Sequence, residues 1–78
     1  MENFTAKKTR HKYDERYVVV AEDGAKGEVY KYNENDWRIR YGSMVVMKPH
    51  STMDEAVAYA FEKAREITKW VKTNVKVI

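Results

Sequence analysis

The chain contains no leucine. Its apolar set is instead ten Val and three Ile beside six Tyr and two Trp, residue types that suit a pleated, half-buried surface better than a helix. A sheet-rich domain is expected. Cysteine is also absent, so neither disulfides nor thiolate zinc can staple the fold, and the apolar core must carry stability alone. The same absence points to an intracellular, cytoplasmic setting. Seventy-eight residues suffice for one domain, whose folding removes about 60 to 65% of the unfolded surface from water, and they exclude a multidomain enzyme. With 44% hydrophobic and 35% charged residues the chain is too apolar for wholesale disorder, and no apolar run suggests a membrane partner.

From Arg16 the pattern is β-like. Tyr17 to Ala21 is a β-branched run closed by the Gly24 and Gly27 turn region, Glu28 to Tyr32 reads as a second strand, and Asn33 to Asp36 as a tight connection. Trp37 to Tyr41 follows as a third strand, Gly42-Ser43 as a two-residue type II′ turn and Met44 to Lys48 as a fourth strand, which Pro49 ends. Thr52-Met53-Asp54-Glu55 then fits a capping box, with the Thr52 hydroxyl accepting from the Glu55 amide and the Glu55 carboxylate accepting from the Thr52 amide. Beyond it Met53, Val57, Ala60, Phe61, Ala64, Ile67, Thr68 and Val71 form one stripe at helical spacing, opposite a mixed-charge face. Asn74 terminates that helix, and residues 75–78 form either a last strand or a tail. The expected fold is α+β, a three- or four-stranded antiparallel meander followed by one amphipathic helix packed on one face. Residues 1–15 are expected as a flexible basic arm and residues 16–78 as a single ββββα domain; nothing in Met1 to Arg16 has the continuous apolar core of a signal peptide.

Register decides which side chains share a face. A four-residue loop at Asn33 to Asp36 would set Tyr32 opposite Trp37 and Tyr30 opposite Ile39, and the Gly42-Ser43 turn would set Ile39 opposite Val46. The helix would then cover Tyr17, Val19, Tyr30, Tyr32, Trp37, Ile39, Tyr41, Met44 and Val46. Val18, Val20, Val29, Lys31, Arg38, Arg40, Val45 and Met47 would be left on a second, uncovered face.

The formal charge of +3 is unevenly spread. Residues 1 to 16 carry +2, residues 17 to 36 carry −3, residues 37 to 50 carry +3 and residues 51 to 78 carry +1. Lys31, Arg38 and Arg40 on the uncovered face, with Lys7, Lys8, Arg10 and Lys12 in the arm, would suit DNA groove edges and phosphates. The same pattern also describes the solvated side of an antiparallel sheet. A third reading weights Val18, Val20, Val45 and Met47 and makes the surface a protein-binding or homodimer patch, with Tyr59 and Trp70 as a second aromatic edge on the helix. Catalysis is not expected, because no convergent set of acid, base and nucleophile is visible. His11 and His50 are far apart and have no cysteine beside them, so no metal site is expected. No phosphate loop or other cofactor motif is present, since Gly24 and Gly27 precede neither Lys-Ser nor Lys-Thr.

The run Trp37-Arg38-Ile39-Arg40-Tyr41, a further strand and the Thr52-Met53-Asp54-Glu55-Ala56 helix start resemble two related DNA-binding modules over about residues 28 to 67. These are the arm-binding domain of tyrosine recombinases and the plant ethylene-response type domain, each a three-stranded sheet on one helix that reads DNA through the sheet. The resemblance implies DNA contacts at Arg38 and Arg40, with Lys31 beside them; an extra strand and acidic turns at Glu22, Asp23, Glu34 and Asp36 depart from it. The size and strand-then-helix order are also similar to phage accessory proteins, among them a short inhibitor of bacterial RNA polymerase. The expected function is therefore a non-enzymatic DNA-binding module, with an inhibitor or adaptor that binds a host protein as the alternative.

Overall fold

A computed structural model describes residues 2–10, 12, 14–41 and 44–74. The Gly42-Ser43 turn, His11 and the 75–78 tail lie outside the described residues, as do the side chains of Tyr41, Met44 and Val45. The fold is α+β: β1 (Phe4–Thr9), β2 (Glu15–Ala21), β3 (Lys26–Asn33), β4 (Asp36–Tyr41) and β5 (Met44–His50) precede α1 (Met53–Asn74). The five strands form one open antiparallel sheet in the order β1-β2-β3-β4-β5. No helix is long and apolar enough to cross a membrane among the described residues.

The sheet has five strands where three or four were expected. The addition is β1, built from the segment read as an arm, and it pairs with β2 without interruption from Phe4↔Ala21 to Thr9↔Arg16. Only Phe4 of this strand reaches the core, where its ring meets Phe61 edge-on at 6.0 Å. Pairing here rests on the backbone ladder, and a ladder makes little demand on side-chain hydrophobicity at a sheet edge.

Two turns set the middle of the sheet. Between β2 and β3 the Gly24 amide donates to the Ala21 carbonyl at 3.0 Å, with Gly24 at φ +89° and the Asp23 carboxylate accepting from the Ala25 amide at 3.1 Å. A left-handed φ costs glycine nothing, which is why the residue stands there. Between β3 and β4, Asn33 pairs with Asp36 around Glu34-Asn35, with Asn35 at φ 56°. The register shifts between Lys31 and Asn33, so Lys31 opposes Trp37, Val29 opposes Ile39 and Tyr30 opposes Arg38. This is one residue away from the expected pairing. Because side chains alternate along a strand, the slip exchanges the two faces of β3: Val29 and Lys31 lie on the helix side, and Tyr30 and Tyr32 lie on the uncovered side.

The helix starts as its cap predicts. The Thr52 hydroxyl accepts from the Glu55 amide at 3.2 Å, but the Glu55 carboxylate reaches to Ser51, accepting from its amide at 3.2 Å and its hydroxyl at 2.9 Å. Ala56, Val57, Ala60 and Phe61 are buried against Val19, Ala21, Val29 and Ile39. Five of these side chains, Phe61, Ile39, Val19, Val29 and Val57, are fully buried, and each contributes about 1.5 to 3 kcal/mol by leaving water. Gly27 lets the helix approach: a Cβ added there would lie 2.8 Å from the Ala60 Cβ. The helix packs on β3, β4 and β5, while Arg65 holds its other side by donating to both Glu2 carboxylate oxygens at 2.7 Å and to Asp23 at 3.0 and 3.1 Å.

Candidate functional site

The uncovered sheet face is covered in part by its own paired side chains, with Tyr32 and Met47 left exposed. Asp14 and Arg16 on one flank, and Asp36 and Arg38 on the other, are spaced two apart, so each acid lies beside its own guanidinium. Arg16 donates to Asp14 at 3.2 and 3.0 Å and also pairs with Glu28 at 3.1 Å; Arg38 donates to Asp36 at 3.1 Å twice. Tyr30 stands between the two arginines on the central strand. It is only 7% exposed, with the Arg16 guanidinium 5.3 Å from its ring centroid. Burial raises its phenol pKa, against the pull of Arg38 and Arg16. The Arg38 guanidinium stacks on Tyr32 at 3.9 Å, and the Asp36 carboxylate raises its pKa further. With side chains only 12% and 13% exposed, Arg16 and Arg38 are committed within the fold.

The proposed basic constellation is therefore divided. Lys31 was expected beside Arg38, but the β3 slip puts it on the helix side, where its ammonium pairs with Glu34 at 3.1 Å. Arg40 shares the open face and stands opposite Glu28. Lys7 lies on that face opposite Val18, whereas Lys8 points to the helix side opposite Tyr17. Both are exposed, as are Arg10 and Lys12 in the loop after β1. Among the alternative contact residues Val18 and Val20 are half-buried on the open face, and Met47 is exposed with its sulfur 3.9 Å from Arg38 Nη1. The Val45 side chain lies outside the described residues.

Tyr59 and Trp70 stand about three turns apart on α1 and differ in exposure. Tyr59 is half-buried, 4.9 Å from the His50 ring, with the Lys48 and Lys63 ammonium groups 4.8 and 5.3 Å from its centroid. Trp70 lies further along α1 and is 61% exposed. It has two apolar neighbours, Ile67 at 50% and Val71 at 43%. These two were expected in the buried stripe. Their exposure follows from length, because 22 helical residues span about 33 Å, against about 20 to 27 Å for the strands beneath. That comparison was available from the sequence and would have located the strip.

His50 ends β5, with its ring beside Tyr59. Its Nε2 is buried without a hydrogen-bond partner among the described residues, and burial together with the Lys48 ammonium lowers its pKa, partly offset by Glu55 and Asp36. Among the described residues no three His, Asp or Glu side chains gather into a metal-holding cluster. Comparison with known proteins finds no matching family model, no matching curated protein and no matching solved structure.

Proposed function

We propose that this protein is a protein-binding module, an adaptor or inhibitor whose main contact is the strip formed by Ile67, Trp70 and Val71 on the C-terminal half of α1. The observation that carries this reading is that the apolar stripe of the helix continues past the sheet that covers its first half. A contiguous apolar strip containing an exposed tryptophan is the surface type that anchors protein interfaces, where a central Trp commonly supplies about 2 kcal/mol or more of binding. Its flank is close to neutral, since Lys63 is paired with Glu66 at 3.3 Å, so the contact depends on apolar burial and responds weakly to salt.

The test is an affinity capture from cell lysate after nuclease treatment, with the intact protein and with Trp70→Ala, the retained proteins being identified by mass spectrometry. The reading expects proteins that the intact chain retains and the variant releases. Capture that vanishes with nuclease, or is unchanged in Trp70→Ala, refutes it.

A nucleic-acid reading rests on a different observation, the exposed Lys7, Lys8, Arg10 and Lys12 along β1 and its following loop. Arg38 supports it poorly, because contacting phosphate would require breaking its bidentate pair with Asp36. Duplex DNA binding of this kind should weaken with salt by about one log unit of slope per phosphate neutralised. Replacing Arg38 should leave it unchanged.

A further inference from the structure

The two edges of the sheet are unlike. On β5 the ladder is irregular between the Trp37↔His50 and Ile39↔Val46 pairs, and Pro49 removes an amide donor from the strand. An edge of that form resists further pairing. On β1 the ladder is regular over six consecutive pairs, and among the described residues β1 is bonded to one neighbour only. With respect to the described residues its outer row of amides and carbonyls is therefore available along an uninterrupted edge. The side chains beside that row are also open: Thr5, Ala6, Lys7 and Lys8 are all exposed. Thr5 and Ala6 are small enough for a neighbouring strand to lie close. Lys7 and Lys8 project to opposite faces, so an added strand would meet one ammonium on each side at adjacent positions. Next to Thr5 is a hollow of about 200 Å³, lined by Asn3, Phe4, Thr5, Val20, Ala21 and Glu22, into which an apolar side chain on the added strand could reach.

We propose that β1 accepts an extended acidic segment of a partner protein as a sixth strand, with two adjacent carboxylates meeting Lys7 and Lys8 and an apolar residue lying over Thr5. Backbone hydrogen bonds hold the segment, and the lysines select its charge. Strand edges often carry lysine to discourage pairing between like copies; two such edges from copies of this chain would oppose ammonium to ammonium, whereas an acidic strand converts the same repulsion into attraction. The site is separate from the α1 strip, so the two surfaces can be lost independently.

The experiment titrates the full chain into fluorescein-labelled peptides followed by anisotropy. One peptide carries two adjacent glutamates followed by two valines, and its control carries lysines in place of the glutamates. Two further peptides are N-methylated at one or the other of two neighbouring backbone nitrogens. The proposal expects the acidic peptide to bind and the lysine peptide to bind at least about tenfold more weakly, with Lys7→Glu combined with Lys8→Glu reversing the preference. Because alternate amides face the neighbouring strand, one N-methyl peptide should lose about five- to tenfold in affinity and the other little. Lys7→Ser with Lys8→Ser guards against a folding defect, keeping the strand while removing both charges, and it should abolish the charge preference. Trp70→Ala should leave all of these values unchanged, so a failure of the α1 reading does not imitate a failure here. Equal binding of both N-methyl peptides, absence of acidic-peptide binding at low salt, or displacement of that peptide only by oligonucleotides would overturn the proposal.

Discussion

Gly27→Ala tests the packing that aims the helix. The added methyl would sit 2.8 Å from the Ala60 Cβ, about 1 Å inside the ordinary carbon-carbon contact distance of 3.5 to 4.0 Å. Both atoms are attached directly to backbone, so neither can swing aside, and β3 or α1 must move. Gly27 has no left-handed φ, and alanine is otherwise at ease in a strand, so the cost comes from the collision. Overpacking of this kind costs about 1 to 3 kcal/mol, a large share of the few to about ten kcal/mol that stabilise a domain of this size. The assay is urea unfolding of the four members of a double-mutant cycle. Ala60→Gly alone should lose about 1 kcal/mol from helix propensity, plus about 0.8 kcal/mol for the buried methyl. In the double variant the methyl is moved from helix to strand and the collision disappears. Its loss should be at least about 1 kcal/mol smaller than the sum of the single losses. Neutral Gly27→Ala, or strict additivity, would refute the close approach and with it the placement of the overhanging half of α1.

Three other outcomes follow from local chemistry. His50 has a lowered pKa in the fold, so the unfolded chain takes up its proton first: its contribution is intact above about pH 6.5 and is lost as pH falls through the lowered value. Urea midpoints between pH 7.5 and 5 should decline, and His50→Phe should flatten that decline. Arg65 lowers the pKa of both Glu2 and Asp23, so its stabilisation is present above the ordinary carboxylate range and disappears as those groups protonate below about pH 4; thermal melts should show Arg65→Met to be less stable than the parent at neutral pH and low salt, with the gap closing in acid. Asn35, at φ 56°, should accept glycine with a gain of about 0.5 kcal/mol and reject valine with a loss of 1 kcal/mol or more, an order-of-magnitude expectation measurable by the same urea series.

The elements differ in how openly the sequence announces them, for physical reasons. The Thr52 cap, the Val run of β2 and the Ile39↔Val46 pairing are local or alternate strictly, and they stand where the pattern puts them. β3 was placed correctly along the chain but with its faces exchanged, because the conformation of Asn35 and the register shift beyond Lys31 insert one residue that composition does not reveal. That single step moved Lys31 away from Arg38 and brought Tyr30 between the arginines. β1 escaped notice because an edge strand held by its ladder needs no apolar alternation, and Thr-Ala-Lys-Lys-Thr has none. The capacity of α1 to outrun its sheet was visible only on comparing lengths, which residue spacing alone does not do.

Charge read along the chain differs from charge presented to a partner, and the open face shows why. Arg38 and Arg40 gave β4 a basic appearance, yet an acid two residues away on the same strand shares a face with its neighbour, and Asp36 is placed to neutralise Arg38 as Asp14 is to neutralise Arg16. The arginines then lie flat over the sheet, covering apolar surface with their stems while their heads stay paired. One helix cannot cover two faces, and the second is covered in part by a layer of paired side chains around Tyr30, with Tyr32 and Met47 left 55% and 66% exposed on it. The charged groups of that face are largely spent on one another. Two further surfaces stand at the perimeter, where β1 keeps an open ladder beside Lys7 and Lys8 and α1 keeps Ile67, Trp70 and Val71. One is a backbone edge selective for charge and the other an apolar strip indifferent to it. A partner using both would combine a salt-sensitive strand contact with a salt-insensitive anchor, and Lys7→Ser with Lys8→Ser should then weaken binding and flatten its salt dependence, leaving the backbone pairing and the Trp70 contribution.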